Sequence, residues 1–242
     1  MEKGQMISVA IITKDGEKYL SEELESILAN LGQEDEVVIS DDGSTDGTRK
    51  VIADFCIRDP RIRLTEGPRE GIIANVESVV QKCKGDYIFL ADQDDVWKPN
   101  KVKKVMAEFN KDAALVMHDA EVYNDDLTKV IMPSFFSYRG CRSGTMANLI
   151  KNRYIGCCMA FTRELVPHFL PIPRTIPMHD QWIGLTADLR KEKVVLIPEP
   201  LIKYRRHAEA ESDFSHNSLP VMIRNRCILV KELWRARKIR KG

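Results

Sequence analysis

The sequence predicts an α/β fold with a mainly parallel central sheet and helices on both faces. Three observations carry this. Short apolar runs alternate with stretches of helical periodicity through the first half of the chain. Several runs are continuous and rich in β-branched residues, as strands buried on both faces require. The order strand–helix–strand recurs, which favours right-handed parallel crossovers in one layered domain.

Taken in order, ISVAII (residues 7–12) is a first strand. Tyr19, Leu20, Leu24, Ile27, Leu28 and Leu31 then recur at helical spacing. EVVIS is a second strand, Val51, Ile52 and Phe55 mark a second helix, and RIRLTE is a third strand. ANVESVVQKC reads as a helix, DYIFLA as a fourth strand, and KPNKVKKVMAEF as a helix with Pro99 in its first turn. The second half is less regular. ALVMHDAEVY and YIGCCMAF read as strands, GTMANLIKN and HDQWIGLTADLRK as helices, and KVVLIPEPLIKYRRH as one or two strands around Pro198 and Pro200. From Leu219 a basic amphipathic helix closes the chain, with Val221, Ile223, Ile228, Leu229 and Trp234 among lysines and arginines. The expected organisation is one domain over residues 1–217 and the basic helix over 218–242.

Composition narrows the classes. A length of 242 residues with 43% hydrophobic and 30% charged residues suits one globular core. A net charge of +1 supplies no global field for nucleic acid, and no nucleic-acid partner is expected. The six cysteines form no C-x-x-C pair, so a reducing compartment is the expectation, with Cys157 and Cys158 as small buried residues. The first apolar run is too short for a signal peptide and nothing approaches a membrane span, which points to the cytoplasm.

Two acidic segments, SDDGSTDGT and ADQDDVW, each follow a strand. In parallel sheets ligands sit beyond the carboxyl ends of strands, so the two should share a cleft. The first carries turn residues at Gly43, Ser44 and Gly47, and Ser44, Thr45 or Thr48 can cap the next helix. As a calcium loop it fails, because position twelve is Ala53 where a bidentate Glu is required. It remains either a polar turn or a place where Asp41 or Asp42 accepts hydrogen bonds from a ligand. In the second segment, Asp92, Asp94 and Asp95 would repel one another in a partly dehydrated cleft. A hard divalent cation, Mg²⁺ or Mn²⁺, resolves the repulsion and itself seeks substrate phosphates.

The order SDDGSTDGT, ADQDDVW, HDQW, YRRH resembles the family 2 glycosyltransferases of GT-A fold, from about Ile7 to His207. Within them it is most similar to bacterial rhamnosyltransferase-like members that build surface polysaccharides. The resemblance implies transfer of a sugar, with inversion, from a nucleotide-diphospho donor to the hydroxyl of a saccharide or lipid-linked saccharide acceptor. It implies that Asp41 and Asp42 hold base and ribose, that Asp92 and Asp94 serve metal and diphosphate with Asp95 as an adjunct, that Asp180 is the general base, and that His207 is a third metal contact. GPREGIIANVES resembles a loop where a basic residue and an asparagine approach the nucleotide, here Arg69 and Asn75. One departure stands out. Lys14 and Asp15 occupy positions where the family usually has Tyr and Asn, which leaves Thr13 as the polar contact of that turn. For Asp180 the bland alternative is a helix N-cap, and for His207 a surface histidine. Two other readings of the whole are an inactive nucleotide-sugar-binding module, favoured by Lys14, and a nucleotidyltransferase, which would want a G-x-G-x-R-type turn that TKDGEKYL lacks. The tail from Lys231 to Lys241 is either a peripheral contact to the inner face of an anionic membrane or a packed helix with a solvated basic face.

Overall fold

The computed structural model describes residues 5–207 and 218–239. The first half follows the expected alternation: β1 (Ile7–Thr13), α1 (Leu20–Leu28), β2 (Glu36–Asp41), α2 (Thr48–Arg58), β3 (Ile62–Glu66), α3 (Ile72–Lys82) and β4 (Tyr87–Ala91). These four strands pair in parallel in the order β3-β2-β1-β4, with Thr13 beside Asp41 and Ile11 beside Ala91. That register brings the ends of β1, β2 and β4 to one edge, where both acidic segments emerge. β1 and β2 are buried almost throughout, because helices cover both faces.

Beyond β4 the sheet becomes mixed. β5 (Val96–Trp97), α4 (Lys101–Phe109), β6 (Leu115–Tyr123), β7 (Val130–Met132), α5 (Phe135–Arg139) and α6 (Thr145–Ile150) are followed by a 3-10 turn over Gly156–Cys158. Then come β8 (Met159–Thr162), α7 (Val166–Phe169), α8 (His179–Arg190), β9 (Val194–Arg205) and α9 (Leu219–Ile239). β8 enters antiparallel between β4 and β6, β9 lies parallel to β6, and β5 pairs antiparallel with β9. The parallel expectation therefore holds for the first four strands and for β6 with β9, while β5, β7 and β8 pair antiparallel. β9 is one continuous strand that passes its prolines by register shifts opposite His118 and Asp119.

Several local expectations need correction. The strand read over YIGCCMAF begins only at Met159, because Gly156 to Cys158 turn sharply beside α8. A Cβ at Gly156 would stand 2.7 Å from His179 Nε2, so only glycine permits that approach. Pro99 precedes α4, whose N-cap is Asn100 in the left-handed region. α2 is entered from Gly47, and Thr48 Oγ1 donates to Asp46 Oδ1 at 2.5 Å and so does not cap the helix. Trp97 belongs to β5 and is buried against Phe89, with ring centroids 5.9 Å apart. Among the described residues no helix is long and apolar enough to cross a membrane.

Candidate functional site

Two turns, after β1 and after β2, are laced together. Thr45 N donates to Asp15 Oδ1 at 2.7 Å, Asp15 N to Ser44 Oγ at 2.9 Å, and Gly16 N to Thr48 Oγ1 at 2.7 Å. Gln93, between the first two aspartates of the second acidic segment, joins the same lattice. Its Oε1 accepts from Thr13 Oγ1 at 2.6 Å and from Lys14 N at 2.9 Å, and its Nε2 donates to Lys14 O at 3.1 Å. The Lys14 turn thus has its backbone fixed by an amide, with the lysine side chain exposed. Thr13 is buried and spends its hydroxyl on Gln93.

Asp41, at the end of β2, is fully buried and receives the Ser44 hydroxyl and, at 3.2 Å, Ser44 N. Its Oδ2 lies 3.5 Å from Arg49 Nη1 without an aligned hydrogen bond, an ionic contact at the edge of the pocket. Asp42 Oδ1 accepts Arg69 N at 2.6 Å, so Asp42 and the Arg69 loop form one rim. Asn75 points inward: its Nδ2 donates to Ser40 O at 3.1 Å, while its buried Oδ1 has no hydrogen-bond partner among the described residues. A Cβ at Gly67 would lie 2.8 Å from Asp42 Oδ1 and 2.9 Å from Asn75 Oδ1, so glycine keeps those two oxygens close together.

The three aspartates of ADQDDVW divide into two groups. Asp94 Oδ2 lies 2.7 Å from His207 Nε2, just past the end of β9, and the His207 ring packs 4.7 Å from that of buried Tyr19. Asp92, Asp95 and Cys157 instead offer ligand atoms within 4.8 Å of one another. The expected set of Asp92, Asp94 and His207 is therefore seen as a contact between Asp94 and His207, with Asp92 grouped beside Asp95 and a cysteine. Burial, and then the charges of Asp94 and Asp92, push the Asp95 carboxyl well above its ordinary range. Its Oδ1 accepts Arg205 N at 3.1 Å, while Oδ2 is buried without a hydrogen-bond partner among the described residues. The Asp94 carboxylate beside the His207 imidazole is a donor pair that fits a divalent cation, as are the Asp92 and Asp95 carboxylates.

Asp180 sits in the first turn of α8, two residues after the N-cap Met178, so it does not cap the helix. It is buried, and its Oδ1 accepts Gln181 N at 2.5 Å and Asn152 Nδ2 at 3.0 Å. Burial raises its carboxyl to about 6, against the opposing pull of those two hydrogen bonds. Neighbouring His179 is pushed down to about 4 by burial and is neutral at pH 7. A small cavity under the strand ends is lined by Asp92, Gly156 and His179, so α8 and the acidic segment open on one space.

Sequence reasoning missed the polar groups behind this front. Glu23 is fully buried, with neither carboxylate oxygen hydrogen-bonded among the described residues, and burial, then the Asp95 charge, pushes its carboxyl well up. Lys101, also buried, donates to Cys157 O at 3.2 Å, and its ammonium lies 3.6 Å from the Trp97 ring centroid. Arg205 donates to Asp94 O at 2.8 Å through Nε and to Asp125 O and Glu22 through its two terminal nitrogens. One sequence signal could have found the first two. Glu23 falls within the apolar stripe of Leu20, Leu24 and Ile27, and Lys101 within that of Val102, Val105 and Phe109, where a charge is buried by geometry.

A parallel sheet whose strand ends carry Asp41, Asp42 and the Asp92–Asp95 segment, extended by a mixed half that returns His207 to Asp94, is the GT-A architecture of nucleotide-sugar-dependent transferases. Residues 8–169 match the family model Glycosyl transferase family 2, and the chain belongs to that family. Escherichia coli chondroitin synthase is 32% identical over 115 residues, covering 48% of this chain and 17% of that protein. The Staphylococcus aureus TarS fragment 1–349, in complex with UDP-GlcNAc, superposes with a TM-score of 0.72 at 16% identity, over 93% of this chain and 66% of that one. A Pyrobaculum calidifontis mannosyltransferase in complex with GDP-Man and Mn²⁺ gives 0.64 at 15% identity, over 85% and 58%. The chain spans about three-fifths (59%) of the length of curated relatives that match 84% of it.

Proposed function

We propose that this protein is an inverting, metal-dependent glycosyltransferase of surface polysaccharide synthesis, acting on a saccharide or lipid-linked saccharide acceptor. The observation that carries the reading is the meeting of Asp94 and His207 at 2.7 Å beyond the strand ends, where a diphosphate would lie. Asp94 and His207 would hold the Mg²⁺ or Mn²⁺, with Asp92 toward the donor diphosphate. The bound ion would supply Lewis-acid stabilisation of the leaving diphosphate, so no protein general acid is required. Asp41, Asp42, Thr13, Arg69 and Asn75 form the nucleotide side, with Asp41 and Asp42 accepting hydrogen bonds from base and ribose.

Asp180 is the base. Among the described residues its hydrogen bonds from Asn152 and Gln181 fall on Oδ1, and Oδ2 takes the acceptor hydroxyl proton as that oxygen attacks the anomeric carbon. The nucleoside diphosphate leaves from the opposite face, and one displacement gives inversion. Residues 1–217 form the catalytic unit in this reading and residues 218–242 an accessory basic helix. Rhamnose as the donor sugar rests on the motif resemblance. A lipid-linked acceptor would bring the enzyme to the inner face of the cell membrane.

The test is nucleoside diphosphate titration with and without Mn²⁺, followed by calorimetry. Binding should tighten with Mn²⁺ in the wild type, and Asp94→Ala should lose that gain. Equal affinity with and without the ion in the wild type refutes the metal assignment. Asp180→Asn should keep donor binding while transfer falls by about 10²–10⁴-fold. Transfer undiminished in that variant removes Asp180 from the reaction.

A further inference from the structure

Helix α9 carries two apolar faces where a packed helix needs one. Leu229 and Leu233 are buried against the domain. A second row, Leu219, Ile223, Cys227, Val230 and Trp234, recurs at steps of four, four, three and four, and so lies along one side of the helix. That row is open: Leu219, Ile223, Val230 and Trp234 are 71%, 61%, 52% and 57% exposed, and Cys227 is exposed as well. Exposed apolar side chains scattered singly are ordinary, but a contiguous row with an aromatic at its end is an interaction surface.

The surroundings of the row identify its partner. Arg224, Lys231 and Arg235 fall along one edge of it at helical spacing. Between residues 219 and 242 the sequence has eight basic residues and a single acidic one, Glu232, which lies off the row and pairs with Arg235. On the other edge Arg226 donates to the Ile150 carbonyl at the end of α6, whose Met146 and Ile150 are 71% and 62% exposed and add to the apolar area. An apolar row with Trp and a basic flank is the composition of a helix that lies in an anionic lipid interface, its apolar side chains among the acyl ends and its cations at the headgroups. A protein groove would have to match this charge by its own carboxylates, whereas an anionic bilayer supplies negative charge wherever the helix lands.

We propose that α9, with the end of α6, docks this protein on an anionic membrane surface. The position fits the site. α6 packs on α8 through Gln181 Nε2, which donates to Asn148 O at 2.6 Å, and α8 carries Asp180. Docking on this face sets the base-bearing helix next to the bilayer, where a lipid-linked acceptor presents its sugar. That orientation of the acceptor rests on the proposed function; the docking surface does not.

The experiment is co-sedimentation of the full chain with vesicles of phosphatidylcholine alone or mixed with phosphatidylglycerol. Binding should require the anionic lipid and should fall between low and physiological salt. Ile223→Asn with Trp234→Ser, both at exposed positions, should lower the vesicle-bound fraction. Arg224→Gln with Lys231→Gln and Arg235→Gln should weaken binding to anionic vesicles by at least about tenfold. Metal-dependent nucleoside diphosphate binding should be unchanged in both variants, which also reports that they fold. Binding that ignores phosphatidylglycerol, or variants that bind as the wild type does, overturn the proposal. So does a lipid-free dimer in sedimentation velocity that Ile223→Asn with Trp234→Ser dissolves, since the row would then belong to a second copy. Loss of the proposed transferase activity in every assay would sink the function and leave vesicle binding as it stands.

Discussion

A carboxylate is useful as a base near neutral pH when its conjugate acid is weaker than that of a free aspartate, and Asp180 meets this by burial. Its carboxyl is raised to about 6, while the hydrogen bonds from Gln181 and Asn152 keep it from rising further. If it removes the acceptor proton, kcat/KM should fall on the acid side with an apparent pKa near that value, and transfer should be flat from there to neutral pH. A pH–rate profile checks this, and a limb near 4 would contradict it. The same shift has a cost in stability. The folded carboxyl holds its proton more tightly than the unfolded one, so the penalty is absent below about pH 4, grows as pH rises, and is complete above about 6. Asp180→Asn should therefore raise stability at pH 7.5, by up to about 3 kcal/mol, and change it little at pH 3.5. Denaturant melts at the two pH values read the difference. This residue was legible in the sequence because it stands in a short motif, HDQW, at the start of a helical pattern. Its burial and its partner Asn152, 28 positions upstream, were not, because only the packing of α8 brings them together.

At the scale of elements, α1 and α4 each turn one charged residue into the core beneath the acidic segment. Lys101 lies among Cys157 O, the Trp97 ring and the charges of Glu23 and Asp95. Burial lowers its ammonium while the two carboxylates oppose that, so one buried cation stands against two buried acids. Lys101→Met should cost about 3–5 kcal/mol at pH 7.5, the loss expected when one partner of a buried charge group is removed. The deficit should shrink as pH falls, because burial raises the carboxyls of Glu23 and Asp95 and their protonated forms need no counter-charge. Urea unfolding of wild type and variant at pH 5 and 7.5 reads this, and a pH-independent deficit would mean that only packing was lost. The elements themselves were plain in the sequence wherever the period was strict, as in β1 to β4 and α3. Elsewhere the period misled. YIGCCMAF is apolar throughout, yet the close passage of His179 over Gly156 turns its first half away from the sheet. The split of the aspartates into Asp94 with His207 and Asp92 with Asp95 and Cys157 also lay beyond reach. It depends on where β9 and the Gly156–Cys158 turn arrive, more than 60 residues downstream.

For the whole molecule, the parallel half supplies the strand ends of the proposed nucleotide side and the mixed half returns His207 to them. β9 is the closing element, since it pairs with β6 along its length and with β5 near its end, and it delivers Arg205 and His207 to the acidic segment. The two residues serve this closure differently. Arg205 is buried and ties three other chain segments: the turn of Asp94 and Asp95, through its Nε to Asp94 O and its amide to Asp95, the Asp125 carbonyl, and Glu22 of α1. Among the described residues, His207 meets Asp94 through Nε2 and lies against the ring of Tyr19. Arg205→Met leaves three part-buried acceptors without their donor and removes a buried side chain, so it should cost about 3 kcal/mol. In a chain of this size that is a fall of roughly 6–12 °C in Tm. It should also weaken nucleoside diphosphate binding in the presence and absence of Mn²⁺ alike, because it loosens the turn that carries Asp94. His207→Ala removes a largely buried ring that meets Asp94 and Tyr19, and Tm should fall less than in Arg205→Met. The Mn²⁺-dependent part of nucleotide binding should nevertheless be lost. Scanning calorimetry with paired titrations separates the two. A large Tm loss in His207→Ala with metal-dependent binding retained would make His207 a structural clasp and leave Asp94 without its partner at the ion.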